Sequence, residues 1–144
     1  MASIVSSMYF ENFQNQIGAP QPTQQFSNPI MALLPLSIPG NFSFVFTFGM
    51  NYDVSQSHNL QVIFKDPQNN ILNNTGEICM PASDDQYLPA EYRGIIFTMD
   101  YRNIPIRSTG VFAAEVYFDG ALLGTCPIPA YPAKPLEGDV SIAR

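Results

Sequence analysis

The chain is short of the groups from which reactive sites are usually built. Among its 144 residues there is one histidine, His58, no tryptophan, and two cysteines, Cys79 and Cys126. A single histidine excludes a multi-histidine metal site within one chain. His58 sits in a polar stretch, where a solvated loop residue is expected rather than a member of a triad. Two cysteines make no disulfide framework and match no metal spacing. Both are read as half-buried free thiols, with a single bridge between them as the alternative. Charge is scarce as well, at 12% of residues against roughly 25% in ordinary domains. Six Lys and Arg against twelve Asp and Glu leave a net charge of −6 and no basic stripe, so nucleic acid is not an expected partner. No apolar run approaches the ~18 residues needed to span a bilayer, so no membrane partner is expected. The opening Met1-Ala-Ser-Ile-Val-Ser-Ser7 lacks the basic and apolar regions of a signal peptide, which makes the cytoplasm the expected compartment.

Further absences narrow the chemistry. Gly110, Gly120 and Gly124 fall in a hairpin pattern, not in a strand-to-helix phosphate loop. The carboxylates Asp84, Asp85, Glu91, Asp100 and Asp119 lie in or near turns, yet their spacing matches no dense calcium loop. No two of them can be brought together for glycoside hydrolysis. Catalytic residues, metal ligands and cofactors are therefore not assigned, and a non-enzymatic protein is expected.

What the chain does have is aromatic residues, prolines and a two-residue beat. Asp119-Gly120 stands between apolar runs and predicts a hairpin with a type I′ turn, because both central positions accept positive φ cheaply. That turn would set Phe118 against Ala121, Val116 against Leu123 and Ala114 against Thr125. Phe112, Ala114, Val116 and Phe118 would share a core face, and Glu115 and Tyr117 the other. The clearest strand covers residues 41–50, where Phe42, Phe44, Phe46, Phe48 and Met50 take every second position.

Other segments follow the same logic. Residues 3–13 read as a first strand with Ile4, Met8 and Phe10 as candidate core positions, and residues 18–29 as a loop because of three prolines. Residues 30–36 fit a short strand or a helical turn, and a turn is expected at Pro39-Gly40. Leu60, Val62 and Phe64 point inward from a strand that closes on an Asp66-Pro67-Gln68-Asn69 turn, with residues 70–74 placed to pair back. A short strand over 76–80 carries Cys79, and a loop follows over 81–89. A further strand over 93–101 sets Ile95, Phe97, Met99 and Tyr101 on one side, and 102–109 form a connection or edge segment. After Cys126 the prolines predict that the chain leaves the ladder as an extended surface segment.

Strand signals about every ten residues with no helical spacer indicate an all-β protein. The expected fold is an antiparallel β-sandwich, immunoglobulin-like or jelly-roll-like, of seven to eight strands, with an extended Pro-rich C-terminal tail. A closed barrel is the alternative, and the missing Cys–Trp–Cys pattern excludes an antibody-type domain. The sandwich is assigned to residues 1–130 and the tail to 131–144.

With little to catalyse, surfaces become the candidates. Tyr87, Tyr92, Tyr101, Tyr117 and Tyr131 are amphipathic side chains of the kind that populate interfaces. Tyr117, Glu115 and Leu122 are expected together on the outward face of the hairpin; with Tyr131 they form the candidate binding residues. Either a partner or the Pro-rich tail would cover that face. Weak surface charge favours association, so a homo-oligomer or an obligate protein partner is expected, against a soluble monomer with an amide-rich surface.

Three segments also resemble a known type: Ser37-Ile-Pro-Gly-Asn-Phe-Ser-Phe-Val-Phe46, Leu60-Gln-Val-Ile-Phe-Lys-Asp-Pro67, and Gly110-Val-Phe-Ala-Ala-Glu-Val-Tyr-Phe-Asp-Gly120. Over residues 2–130 the chain resembles a family of small bacterial β-sandwich proteins known only as a domain of unknown function. The resemblance implies the fold and brings no catalytic residues. The chain departs from it in lower charge and a longer Pro-rich end. The expected function is a protein-binding accessory or regulatory factor, bacterial or phage. A self-assembling virion or coat component is the alternative, and a lectin-like or small-ligand module a weaker one.

Overall fold

The computed structural model describes residues 2–16, 23–83 and 94–134. Its strands are β1 (Ser3–Gln16), β2 (Thr23–Ile30), β3 (Gly40–Asn51), β4 (His58–Lys65), β5 (Ile71–Asn74), β6 (Ile78–Met80), β7 (Gly94–Ile106), β8 (Gly110–Phe118) and β9 (Ala121–Ala130). They build two antiparallel sheets, β2-β1-β3-β7 and β5-β4-β8-β9, with β6 also on β4. This is a β-sandwich, and β1-β3-β7 facing β4-β8-β9 is the immunoglobulin-like strand order. Among the described residues nine strands form where seven or eight were expected. The loop carboxylates Asp84, Asp85 and Glu91, the side chains of Tyr87 and Tyr92, and the tail from residue 135 lie outside the described residues.

The phenylalanine strand behaves as its period demands. Phe44, Phe46, Phe48 and Met50 are buried, and their β7 partners Tyr101, Met99, Phe97 and Ile95 face the same interior. From the other sheet Leu60, Val62, Phe64, Phe112, Ala114 and Val116 complete the core.

Three expectations are corrected where a bulge or an edge intervenes. In β1 the register shifts between Ile4 and Ser6, which reverses the faces beyond it. Ile4 packs on the core, but Tyr9 then points inward, while Met8 is 46% exposed and Phe10 lies on the outer face. In the hairpin the Asp119-Gly120 turn forms with φ of 51° and 84°, and Phe118 faces Ala121 as expected. A shift between Val116 and Tyr117 then pairs Val116 with Gly124 and Ala114 with Cys126. Without it Thr125 and Pro127 would enter the core; with it Cys126, Ile128 and Ala130 do.

Prolines do not end the strands as expected, because they stand at sheet edges. β9 runs on to Ala130 through Pro127 and Pro129. The Pro129 carbonyl turns away from β8 and accepts the Leu33 N–H at 2.8 Å, so the missing proline N–H also faces outward and costs no ladder bond. Residues 30–36 supply neither a full strand nor a helical turn. Leu33 makes an isolated parallel bridge to Ala130 and is fully buried. Tyr131 N–H donates back to Leu33, and Ala133 N–H to Pro35, so the start of the tail is held against this segment. By the same logic β2 carries Pro29 where a loop was expected, and β7 continues to Ile106 past Pro105.

Two buried tyrosines separate a satisfied from an unsatisfied hydroxyl. Tyr9 donates to the Cys126 carbonyl at 2.6 Å, tying β1 to β9. The Tyr101 hydroxyl is buried with no hydrogen-bond partner. Tyr9→Phe should therefore lose about 1 kcal/mol, whereas Tyr101→Phe should be neutral or gain about 1 kcal/mol, because an orphaned hydroxyl is a cost. Urea unfolding of both variants reads the difference, and equal losses would show that the two hydroxyls are satisfied alike.

Candidate functional site

The expected outward face of the hairpin exists, and its chemistry is largely internal. Glu115 lies opposite Ile63 of β4, and its carboxylate takes the Lys65 ammonium at 3.0 Å and the Tyr117 hydroxyl at 2.8 Å. Burial works to raise the Glu115 pKa, but the Lys65 and Tyr117 donors outweigh it and hold the carboxyl below its ordinary value. The Tyr117 hydroxyl is itself pushed up, first by donating to Glu115. Beside it Gln61 donates to the Asn74 side chain at 2.8 Å. Leu122 pairs with Tyr117 as expected and is exposed. Tyr131 is exposed too, but it follows the far end of β9, some 30 Å along the strand from Leu122 at ~3.4 Å per residue. The structure thus gathers Glu115, Tyr117 and Leu122 and leaves Tyr131 apart. Tyr101, another expected interface tyrosine, is a core residue.

The other sheet carries an apolar surface that the sequence reading did not single out. On its outer face Ile96 is 73% exposed, Val5 59% and Met8 46%, and Phe10 stacks on Phe26 at 4.9 Å between ring centroids. Two shallow grooves run across it. One of about 340 Å³ is lined by Met8, Phe10, Phe26, Thr47 and Ile96, and one of about 500 Å³ by Val5, Ser6, Asn51, Gly94 and Ile96. Both have Gly49 and Ile96 in their walls, so they adjoin. Gly49 of β3 lies directly opposite Ile96 of β7, and a missing side chain sits beside a protruding one. The nearest ionisable groups on β7, Asp100 and Arg102, pair with each other at 3.1 Å. Val5, Met8 and Ile96 occupy outward positions created by the β1 bulge and the β3–β7 register. Only the register reveals that they adjoin.

His58 departs most from expectation. It opens β4 instead of lying in a solvated loop, and its side chain is 12% exposed. Nδ1 is 2.6 Å from an Asp119 carboxylate oxygen, and Nε2 is 2.8 Å from the Asp53 carbonyl. Both partners accept, so the two contacts are satisfied together when both ring nitrogens carry protons, as an imidazolium. It packs against the Phe118 ring at 4.6 Å and edge-on to Tyr52 at 5.6 Å. Asp119 also receives the Asn59 N–H at 2.8 Å. Together they clamp the β8–β9 turn to the start of β4. Among the described residues no three His, Cys, Asp or Glu cluster as metal ligands. Cys79 is exposed and Cys126 buried, both free, so the two thiols differ where both were read as half-buried. Burial pushes the Cys126 thiol up, away from the reactive thiolate. Among the described residues no helix is long and apolar enough to cross a membrane.

No family model matches the chain, and the search of curated proteins finds no match.

The clamp makes stability depend on pH in a defined direction. The Asp119 carboxylate, against the opposing pull of burial, raises the His58 pKa above its ordinary 6.5, with the Asp53 carbonyl adding to the effect. Its stabilisation is complete below 6.5 and is lost as the pH rises through the higher folded value. Asp119 is lowered, first by the Asn59 N–H and then by His58, so its share is complete above 3.8 and is lost as the pH falls through a lower folded value. His58→Gln should therefore lower the melting temperature most between those limits and converge on the wild type at high pH. A difference that grows with alkalinity would show that the ring is held neutral.

Proposed function

We propose that this protein is a non-enzymatic β-sandwich that binds another protein through the outer face of the β2-β1-β3-β7 sheet. The observation that carries this reading is the contiguous apolar surface of Val5, Met8, Phe10, Phe26 and Ile96. A surface without charge can be desolvated without stranding an ion, and charge depletion is the compositional mark of an interface core. The grooves are open and shallow, which suits a protein surface better than a small molecule enclosed on most sides. The opposite face supports binding less, because Glu115 has its donors within the chain and Leu122 and Tyr131 stand apart. The acidic groups of the described turns have structural duties, as Asp66 shows by accepting the Gln68 and Asn70 N–H groups.

A photo-crosslinking amino acid placed at Ile96, with one at Leu122 for comparison, tests the reading in the cells that make the protein. A defined protein adduct from Ile96, reconstituted with purified partner and weakened by Ile96→Lys, is the expected result. Adducts from neither position, with the chain folded, would end the protein-binding reading.

A further inference from the structure

Beside β9 the β5-β4-β8-β9 sheet has no counterpart to β2. β1 lies across from β9, where Tyr9 bonds to Cys126 and Ile4 packs over Gly124. β2 lies outside β1, so it overhangs the position next to β9. Only one end of that position is filled. Leu33 stands there, parallel to β9, accepting from Tyr131 and donating to Pro129. Next to it a groove of about 310 Å³ opens between the sheets, with Ser7, Met8, Ile30, Met31, Thr125 and Pro127 in its walls.

The edge of β9 along this groove carries unpaired ladder groups. In an antiparallel pair, alternate residues turn both backbone groups toward the partner strand and the others turn them away. The Pro129 carbonyl turns away from β8, toward Leu33. The register is unbroken from Pro129 back to Gly124, so Pro127 and Thr125 turn the same way. Thr125 N–H, Thr125 C=O and Pro127 C=O therefore open onto the groove. Among the described residues none of the three has a hydrogen-bond partner.

We infer that this groove takes a short extended segment of another protein, which adds to the sheet as a strand beside β9. The complement of a row of N–H and C=O groups at strand spacing is another extended backbone, and pockets along the row select its side chains. In either direction such a strand accepts from Thr125 N–H and donates to the Thr125 and Pro127 carbonyls. Its residue level with buried Cys126 points between the sheets, toward Ile30 and Met31, so an apolar side chain belongs there. No charged side chain lines the groove, so a neutral segment enters without stranding an ion. The parallel bridge of Leu33 is the same mode of addition made by the chain itself, and the incoming segment continues that ladder.

Leu33 also decides between occupants. Two β9 strands related by a two-fold axis at Thr125 would set Ala121 of one copy level with Pro129 of the other, where Leu33 already stands. The free edge from Thr125 to that block is about four residues, or ~13 Å, which fits a short linear segment and not a full edge strand. The groove lies between the sheets and not on the outer face that carries Ile96, so this site is separate from the surface proposed above.

The probe is a displayed library of random heptapeptides selected on the full chain, with the tightest binder synthesised and titrated. Amide exchange followed by NMR should find the Thr125 N–H fast-exchanging in the free protein and protected once the peptide is bound. Thr125→Pro removes that N–H and leaves the β8–β9 bonds intact, so it should weaken the peptide about 10-fold. Pro127→Ala adds an N–H to the same edge and should tighten binding several-fold; it keeps the site testable if Thr125→Pro does not fold. Ile96→Lys should leave the affinity unchanged, so failure here and failure of the Ile96 surface are told apart. A selection that yields no binder overturns the inference, as does a binder that leaves the Thr125 amide exposed or ignores Thr125→Pro. Protection of that amide in the free chain, growing with concentration, overturns it too, because a second copy then holds the edge.

Discussion

Phe44 and Tyr101 of one sheet, 5.1 Å apart, each meet Phe64 of the other at 5.3 Å between ring centroids, and Phe112 extends the layer from Phe64 at 6.0 Å. These contacts join the two sheets, and everything else about the molecule follows from keeping them. An aromatic layer of this kind removes a large apolar area from water and gains further from tilted ring geometry. Once those rings point inward, every neighbouring position along each strand must point outward. The outer faces are therefore the residue left over by the core. Strands that would put the wrong residues inside must slip by one, and the bulges in β1 and β9 do this.

Three of the scarce carboxylates hold the chain's turns. Asp66 caps its own turn, Asp53 accepts the Ser55 N–H and hydroxyl, and Asp119 binds Asn59 and His58. Each carboxylate satisfies backbone donors that a tight turn would otherwise leave to water. The same economy appears in the neutral polar residues, where Thr75 accepts the Val62 N–H and donates to the Gly76 carbonyl. A sandwich whose turns are fastened in this way needs few surface ion pairs. That accounts for a low charged fraction without any appeal to disorder.

The core was legible in the sequence because its signal is local. Unbroken alternation from Phe42 to Met50, the Asp119-Gly120 pair and the Asp66-Pro67 turn each state their conformation within a few residues. What was not legible depends on distant partners. The β1 bulge reverses Met8 and Tyr9, and no residue in that stretch announces it. Prolines at 29, 105, 127 and 129 look like strand breakers until it is known that β2, β7 and β9 lie at edges. His58 reads as a loop residue because its carboxylate stands 61 positions away. The outer face of β2-β1-β3-β7 was hidden for the same reason: Val5, Met8, Phe26 and Ile96 adjoin only through register.

The two outward faces answer differently to the question of what folding requires. On β5-β4-β8-β9 the polar groups of the outward face complete one another, Lys65 with Glu115, Tyr117 with Glu115, and Gln61 with Asn74, while Ile71, Val111 and Leu122 stand exposed around them. The polar groups of that face are satisfied within the chain. On β2-β1-β3-β7 Ile96 is mostly in water and contributes little to the interior, so a polar residue there would cost the fold almost nothing. Single exposed hydrophobic side chains are ordinary and need no explanation. Several that adjoin, around a glycine and without an ion among them, are different, because antiparallel sheets that face water on one side usually set polar residues there. Folding does not explain the apolar character of this face, and the proposed association would use it.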